Sequence, residues 1–328
     1  MEIIRADQEH EAQILALAQM SLRWGGDQRY VDLYRWKHDE NPFGPSSRWV
    51  AVDGGQVVGY RVFLNWRFRR GDGSTTWAVR AVDTATHPDH RGRGIFRALT
   101  TGALDELREM GVEFVFNTPN DQSRPGYLNM GWIELGRPPV AMTPRPSPAA
   151  LLRVARSRTP AERWSRPTEV GRPAAEMASS PEELSRLLAL APSSSDSWST
   201  DRDASWFGWR YGLSHLHYRV LTTADVGPPL ARERGAAVFR LRHRGHALEA
   251  TISELMTPDP DVGRRLVREV LRATGADYAL TAGPGRWGAP PSISLPAFSP
   301  LVTWRDVNQT RPASLTDFDF TVGDLELF

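Results

Sequence analysis

The sequence predicts an α/β (α+β) fold in two domains, and three observations carry that expectation. Its 328 residues are more than one ordinary core requires. A series of strands joined by short Gly turns reads as an antiparallel meander, followed by a helix and a buried strand. Short pieces of that order recur in the second half of the chain. Each domain is therefore expected to be a mixed, mostly antiparallel twisted sheet flanked by helices.

Ile3 and Ile4 begin the first strand, and Asp7 can cap a helix whose apolar positions are Ile14, Leu15, Leu17, Ala18 and Leu22. A second helical piece over 30–36 ends before the breaker Asn41-Pro42-Phe43-Gly44-Pro45. Strands are expected over 48–52, 57–68 and 76–86, with turns at Asp53-Gly54-Gly55 and Gly71-Asp72-Gly73. Ile95, Leu99, Ala103, Leu104 and Leu107 then mark one helical face that ends at Gly111. Phe114-Val115-Phe116 suits a buried strand, 123–130 a short helix, and Trp132 the start of another strand.

Apolar residues at 40% and charged residues at 24% are ordinary globular values, and a net charge of +1 points to no nucleic-acid partner by itself. The absence of cysteine excludes disulfides, thiolate metal sites and a cysteine nucleophile. No apolar run approaches the ~20 residues that span a membrane, and the first residues do not read as a signal peptide. A soluble, cytoplasmic protein is expected, as a monomer or homodimer. Lys37 is the one lysine, so nearly all positive charge is arginine, which reads as a coding bias.

The segment His87-Pro88-Asp89-His90-Arg91-Gly92-Arg93-Gly94-Ile95-Phe96 joins a strand to a helix. Glycines allow close backbone approach, a helix start offers unpaired N–H groups, and two arginines add positive charge, so the junction suits an anion. The same residues also read as a basic turn with no ligand.

Val82-Asp83-Thr84-Ala85-Thr86-His87-Pro88, with Arg91-Gly92-Arg93-Gly94-Ile95 after it, resembles the acyl-CoA-binding segment of the GNAT superfamily of N-acyltransferases. Asn117-Thr118-Pro119-Asn120-Asp121-Gln122-Ser123 and Tyr127-Leu128-Asn129-Met130-Gly131-Trp132 resemble that family's next strand and its Tyr-x-x-x-Gly-aromatic helix end. The resemblance covers residues 1–142 and departs from the family at Phe96, where the loop pattern calls for Gly or Ala. That ring must point away from a bound pyrophosphate.

What the resemblance implies is direct attack of an amine on a thioester, with acetyl-CoA or another acyl-CoA as co-substrate, no metal, and a small-molecule or peptide amine as acceptor. Neither a nucleic acid nor a membrane is then expected as partner. The amides of Arg91, Gly92, Arg93, Gly94, Ile95 and Phe96 would hold the pyrophosphate, and the backbones of Ala85 and Thr86 the pantetheine arm. Asn117, Asn120 and Ser123 would hydrogen-bond CoA. Tyr127 would be the general acid, since a phenol titrates near ~10, close to a thiol. Asp83 would be the base, or would merely pair with an arginine such as Arg80. His87 and His90 read as solvated or phosphate contacts, and His215-x-His217 lacks the further ligands of a zinc site.

Residues 143–180, rich in Pro, Arg, Ala and Ser, read as a linker with one helical piece over 149–156. Beyond it Phe207-Gly208-Trp209-Arg210-Tyr211 matches Leu33-Tyr34-Arg35-Trp36-Lys37, and Ala236-Ala237-Val238-Phe239-Arg240-Leu241 matches Gly59-Tyr60-Arg61-Val62-Phe63-Leu64. Gly275-Ala276-Asp277-Tyr278 likewise matches Gly111-Val112-Glu113-Phe114. Residues 181–328 are thus expected to form a degenerate GNAT-like domain that shapes the acceptor site. Pro258-Asp259-Pro260-Asp261 replaces the Arg/Gly loop there, so one acyl-CoA per chain follows. Two other functions fit this fold: an aminoacyl-tRNA-dependent aminoacyltransferase, and a binding module without catalysis.

Overall fold

The structure is a computed structural model that describes residues 1–22, 24, 26–191, 196–226, 235–282, 293–294, 299–308 and 314–326. The chain divides into two compact units, Met1–Gly136 with Leu301–Asp317, and Arg137–Pro300 with Phe318–Phe328. Both are mixed α/β bodies.

The first unit starts with β1 (Glu2–Arg5), α1 (Glu11–Ser21) and α2 (Gln28–His38). Asp7 caps a short turn ahead of α1, and Asp27 caps α2 by accepting from Arg29 N. The expected meander follows as β2 (Ser47–Asp53), β3 (Gln56–Arg69) and β4 (Thr75–Thr86), antiparallel throughout. The single helix expected from Ile95 is broken at Ala103 into α3 (Ile95–Gly102) and α4 (Leu104–Glu109). After these come β5 (Phe114–Asn117), α5 (Arg124–Asn129) and β6 (Ile133–Gly136). Phe63, Val79, Leu99, Leu107 and Val115 pack into one core that binds α3 and α4 to the sheet.

The second unit contains β7 (Val140–Pro144), α6 (Pro148–Arg156), β8 (Arg172–Pro173), α7 (Pro181–Leu188), β9 (Ser199–Thr200) and α8 (Ala204–Gly212). It continues with β10 (Arg219–Thr222), α9 (Thr223–Val226), β11 (Ala236–Arg244), β12 (Ala247–Met256), α10 (Pro260–Thr274), β13 (Tyr278–Ala282) and β14 (Ile293–Ser294). Its sheet has the order β14-β7-β13-β12-β11-β10-β8. The chain then returns to the first unit as β15 (Val302–Asp306), which lies between β5 and β6 in the order β1-β2-β3-β4-β5-β15-β6. Near the C-terminus α11 (Val322–Leu325) belongs to the second unit.

These boundaries differ from those drawn on sequence. The first unit closes at Gly136 and recruits residues 301–317, which sequence reading left with the C-terminal half. Residues 143–180 are built into the second unit instead of forming a linker. Their prolines start elements, as Pro148 does for α6. Arg145 and Arg153 fasten the stretch to buried Asp277, at 3.2 and 2.6 Å.

Both sheets share one internal plan, an antiparallel hairpin followed by a helix and a parallel strand: β3/β4 then β5, and β11/β12 then β13. The faces are one residue out of step with the sequence match. Gly59 and Phe63 face α3, whereas Ala237, Phe239 and Leu241 face α10. A one-residue slip in a strand exchanges its two faces, and the ladder registers place Phe63 at Phe239 and Arg61 at Ala237, not at Val238.

Candidate active site

The site begins where two strands part. β4 and β5 pair in parallel at Ala78↔Phe114, Val79↔Val115 and Arg80↔Phe116, and the ladder ends there, while β4 runs on to Thr86. The β5-facing edge of residues 81–86 thus has no ladder partner among the described residues. Ala85 and Thr86 lie on this parted length, where backbone groups can serve an extended ligand.

On the same length β4 bulges. Tyr60 opposes Ala85 and Val62 opposes Val82, so Arg61 alone faces both Asp83 and Thr84. Asp83 takes φ 37°, a left-handed conformation that Asp and Asn tolerate better than most residues.

Beyond Thr86 the chain turns through Pro88–His90 and the Arg/Gly loop into α3. Gly92 and Gly94 have φ of 76° and 74°, where a side chain would strain the turn. Gly94 is the N-cap of α3 and no side chain caps the helix, so its first N–H groups face outward with the dipole's positive end. Arg91, Gly92, Arg93 and Gly94 are exposed, and Ile95 is buried. Gly59 makes that burial possible, because a Cβ there would stand 2.6 Å from Ile95 Cγ2. The Phe96 ring packs edge-on against Tyr127, with centroids 5.3 Å apart, and over Gly126, where a Cβ would approach it to 2.9 Å. The ring therefore lies on the core side of the helix start.

Tyr127, on α5, is buried, and its Oη accepts a 2.5 Å hydrogen bond from Arg61 Nη2. Arg61 is wholly buried on β3. Asn117 is turned into the sheet, where its Oδ1 accepts from Thr303 on β15 at 2.7 Å. Asn120 Oδ1 accepts from Gln122 N, Ser123 N and Ser123 Oγ, fixing the turn that leads into α5. These three side chains thus hold the shape of the β5–α5 connection.

Asp83 does not meet Arg80, which reaches Thr118 Oγ1 instead. Its Oδ2 lies 2.6 Å from Lys37 Nζ and 2.8 Å from His38 Nε2, both at the end of α2. Burial works to raise the Asp83 carboxyl, but the Lys37 ammonium and the His38 hydrogen bond outweigh it and hold the group well below the usual carboxylate range. For His38 the balance is reversed. Burial pushes it down to about 4 despite Asp83, so the ring is neutral at pH 7. His38 Nδ1 is 3.0 Å from Ser46 Oγ. The tautomer these partners select donates from Nε2 to Asp83 and accepts at Nδ1 from Ser46.

On sequence alone Arg61 and His38 have no role, and Lys37, the one lysine, reads as a coding bias. Two signals were there to use: a charged residue amid the apolar run of β3, and a lysine with no companion in the whole chain.

The profile of the acetyltransferase (GNAT) domain family matches residues 2–134. No curated protein matches the chain in sequence. Among solved structures, a probable N-acyltransferase from Enterococcus faecalis shares 11% identity at a TM-score of 0.67, over 93% of this chain and 72% of that one. A GCN5-related N-acetyltransferase from Anabaena variabilis shares 15% at 0.60, over 94% and 73%. Eis1 from Mycobacterium abscessus shares 15% at 0.56, over 94% and 74%. At such identities these three likenesses are of fold, and they span both units. The profile thus marks residues 2–134 as similar to a GNAT acetyltransferase domain, and the solved structures show that the chain has the fold of GNAT acyltransferases.

Proposed function

We propose that the first unit moves an acyl group, acetyl in the simplest case, from CoA to the amine of a small molecule or peptide-like metabolite. The observation that carries this is the meeting of a parted β4–β5 edge with an uncapped, glycine-led start of α3. An extended arm that ends in a pyrophosphate fits that pair of features.

In this reading the amides of residues 91–96 hold the pyrophosphate, with Arg91 and Arg93 adding charge, and Ala85 and Thr86 offer backbone groups to the pantetheine. Tyr127 donates its proton to the departing sulfur. Asp83 serves the bulge: a carboxylate kept ionised and bonded to two partners is a poor base, so the amine proton is assigned to water. Asn120 and Ser123 shape the rim beside the CoA, and Asn117 secures β5 to β15.

Calorimetric titration with acetyl-CoA and longer acyl-CoAs, followed by thiol release with a panel of amines, tests the reading. Absence of binding by every acyl-CoA would remove it; binding without turnover on any amine would favour a non-catalytic module.

A further inference from the structure

Resting on that reading, we infer that Arg61 is the positioning residue of the general acid: it fixes Tyr127 with its proton toward the thioester and holds the phenolate left after transfer. Arg61 Nη2 donates to Tyr127 Oη, its one polar contact among the described residues, while Nε and Nη1 have no hydrogen-bond partner. The guanidinium is walled by Phe63, Phe96 and Tyr127, 5.0, 5.7 and 5.2 Å from their ring centroids. Aromatic faces attract a cation, but they replace neither its water nor a counter-ion. A charge buried so incompletely paired is a cost in the resting protein.

The second sheet shows that this plan has no structural need of it. The position facing its helix that corresponds to Arg61 is Ala237, fully buried in an apolar cluster. The cation occurs in the unit that has the Arg/Gly loop and Tyr127.

An arginine can only donate. Tyr127 Oη must therefore accept from it, and the phenol's own proton is left to point elsewhere. In the transfer the acceptor nitrogen bonds to the acyl carbon, and the carbon–sulfur bond breaks with its electron pair on sulfur. Tyr127 gives that sulfur its proton. The phenolate then carries the charge beside Arg61 until a proton released from the acylated nitrogen returns through water. Negative charge thus appears next to Arg61 during the reaction and is absent before it, which is the condition for selective stabilisation of the transition state.

The test uses the full chain with acetyl-CoA as donor and hydroxylamine as the amine probe, reading thiol release, together with calorimetry and thermal unfolding. For Arg61→Met we expect kcat to fall about 30-fold, within the range of a general acid's contribution. The Kd for acetyl-CoA should stay within about two-fold, and the melting midpoint should not fall, because a costly buried charge is gone. Arg61→Lys, which keeps a charged donor, should recover activity to within about five-fold of wild type. The double variant with Tyr127→Phe should be no slower than Tyr127→Phe alone, as for two residues acting as a unit. Unchanged kcat in Arg61→Met, additive losses in the double variant, or a lowered melting midpoint that Arg61→Lys does not restore would overturn the inference and leave the acyltransferase reading standing. A wild-type chain that binds no acetyl-CoA, or releases no thiol above the buffer rate, overturns both.

Discussion

Lys37 Nζ lies 2.6 Å from Asp83 Oδ2, and the chain's one lysine is thereby spent on a bulge inside the first unit. Both side chains are nearly closed to solvent, at 3% and 12% exposure, so each charge depends on the other. Lys37→Met leaves Asp83 with His38 alone, and removal of one partner from a buried pair costs about 3 kcal/mol or more. Denaturant unfolding should show that loss. Adding Asp83→Asn to Lys37→Met should recover part of it, since the uncompensated charge disappears while the Asx side chain still suits the left-handed backbone.

His38 gives the first unit a pH dependence whose sign follows from its burial. Its folded value is about 4 against an ordinary 6.5, so between these pH values the unfolded chain takes up a proton that the folded chain refuses. Stability is therefore complete above pH 6.5 and declines as pH falls toward 4, by about 3 kcal/mol if the whole shift is realised. Asp83, held low, adds its own loss only as pH falls below its ordinary 3.8. Unfolding free energies of wild type and His38→Gln between pH 4 and 8 should differ in slope below 6.5, with the variant the flatter. Equal slopes would mean that another group sets the dependence.

Gly59 ties the packing of β3 to the position of the α3 start. A Cβ at this position would meet Ile95 Cγ2 at 2.6 Å and Leu99 Cδ1 at 3.3 Å, and Ile95 is the first residue of α3. Gly59→Ala should push the helix start off β3, costing about 1–3 kcal/mol in stability as overpacking does. Because the uncapped amides move with it, affinity for acetyl-CoA should fall about ten-fold in calorimetry, a 1.4 kcal/mol effect. A loss of stability with unchanged affinity would place the pyrophosphate elsewhere.

The contrast between the loop and Arg61 shows what a sequence makes legible. Residues 91–96 announce themselves because glycines, arginines and a helix start are local features, and Tyr127 stands in a local motif as well. The meander was readable from alternation and its Gly turns. Arg61 and Lys37 have no such context: their partners lie 66 and 46 positions away in the chain, and their meaning depends on a bulge that shows only in the pairing of β3 with β4. The one-residue error in the internal match has a simpler cause, since a slip by one exchanges the two faces of a strand without changing the apolar character of the run. β15 escaped for a similar reason. It pairs with β5 across 186 positions, at Thr303 and Asn117, and nothing local distinguishes it from a strand of the second unit.

Tyr127→Phe separates binding from chemistry. The hydroxyl meets Arg61 and the ring meets Phe96 and Trp132 at centroid distances of 5.3 Å, so loss of the oxygen leaves the packing in place. Acetyl-CoA affinity should be unchanged, and the rate of thiol release should fall about 100-fold, the contribution expected of a positioned acid. A variant that turns over at the wild-type rate would remove Tyr127 from the chemistry.

The second unit has the same parted strands, since β12 pairs with β13 only at Glu249↔Tyr278, Ala250↔Ala279 and Thr251↔Leu280 before running on to Met256. What it lacks among the described residues is an open start to the matching helix, α10. Asp259 caps α10 and its Oδ1 accepts from Asp261 N at 2.8 Å and Val262 N at 3.4 Å, so a carboxylate already occupies the place an incoming phosphate would need. A fixed negative charge there repels a second one. Titration with acetyl-CoA should accordingly give one site per chain. Asp259→Ala should lower stability by about 1 kcal/mol through the lost cap and leave the stoichiometry at one, because no glycine loop stands ready to wrap the anion. A second equivalent bound by the wild type would show that the capped helix still admits the cofactor.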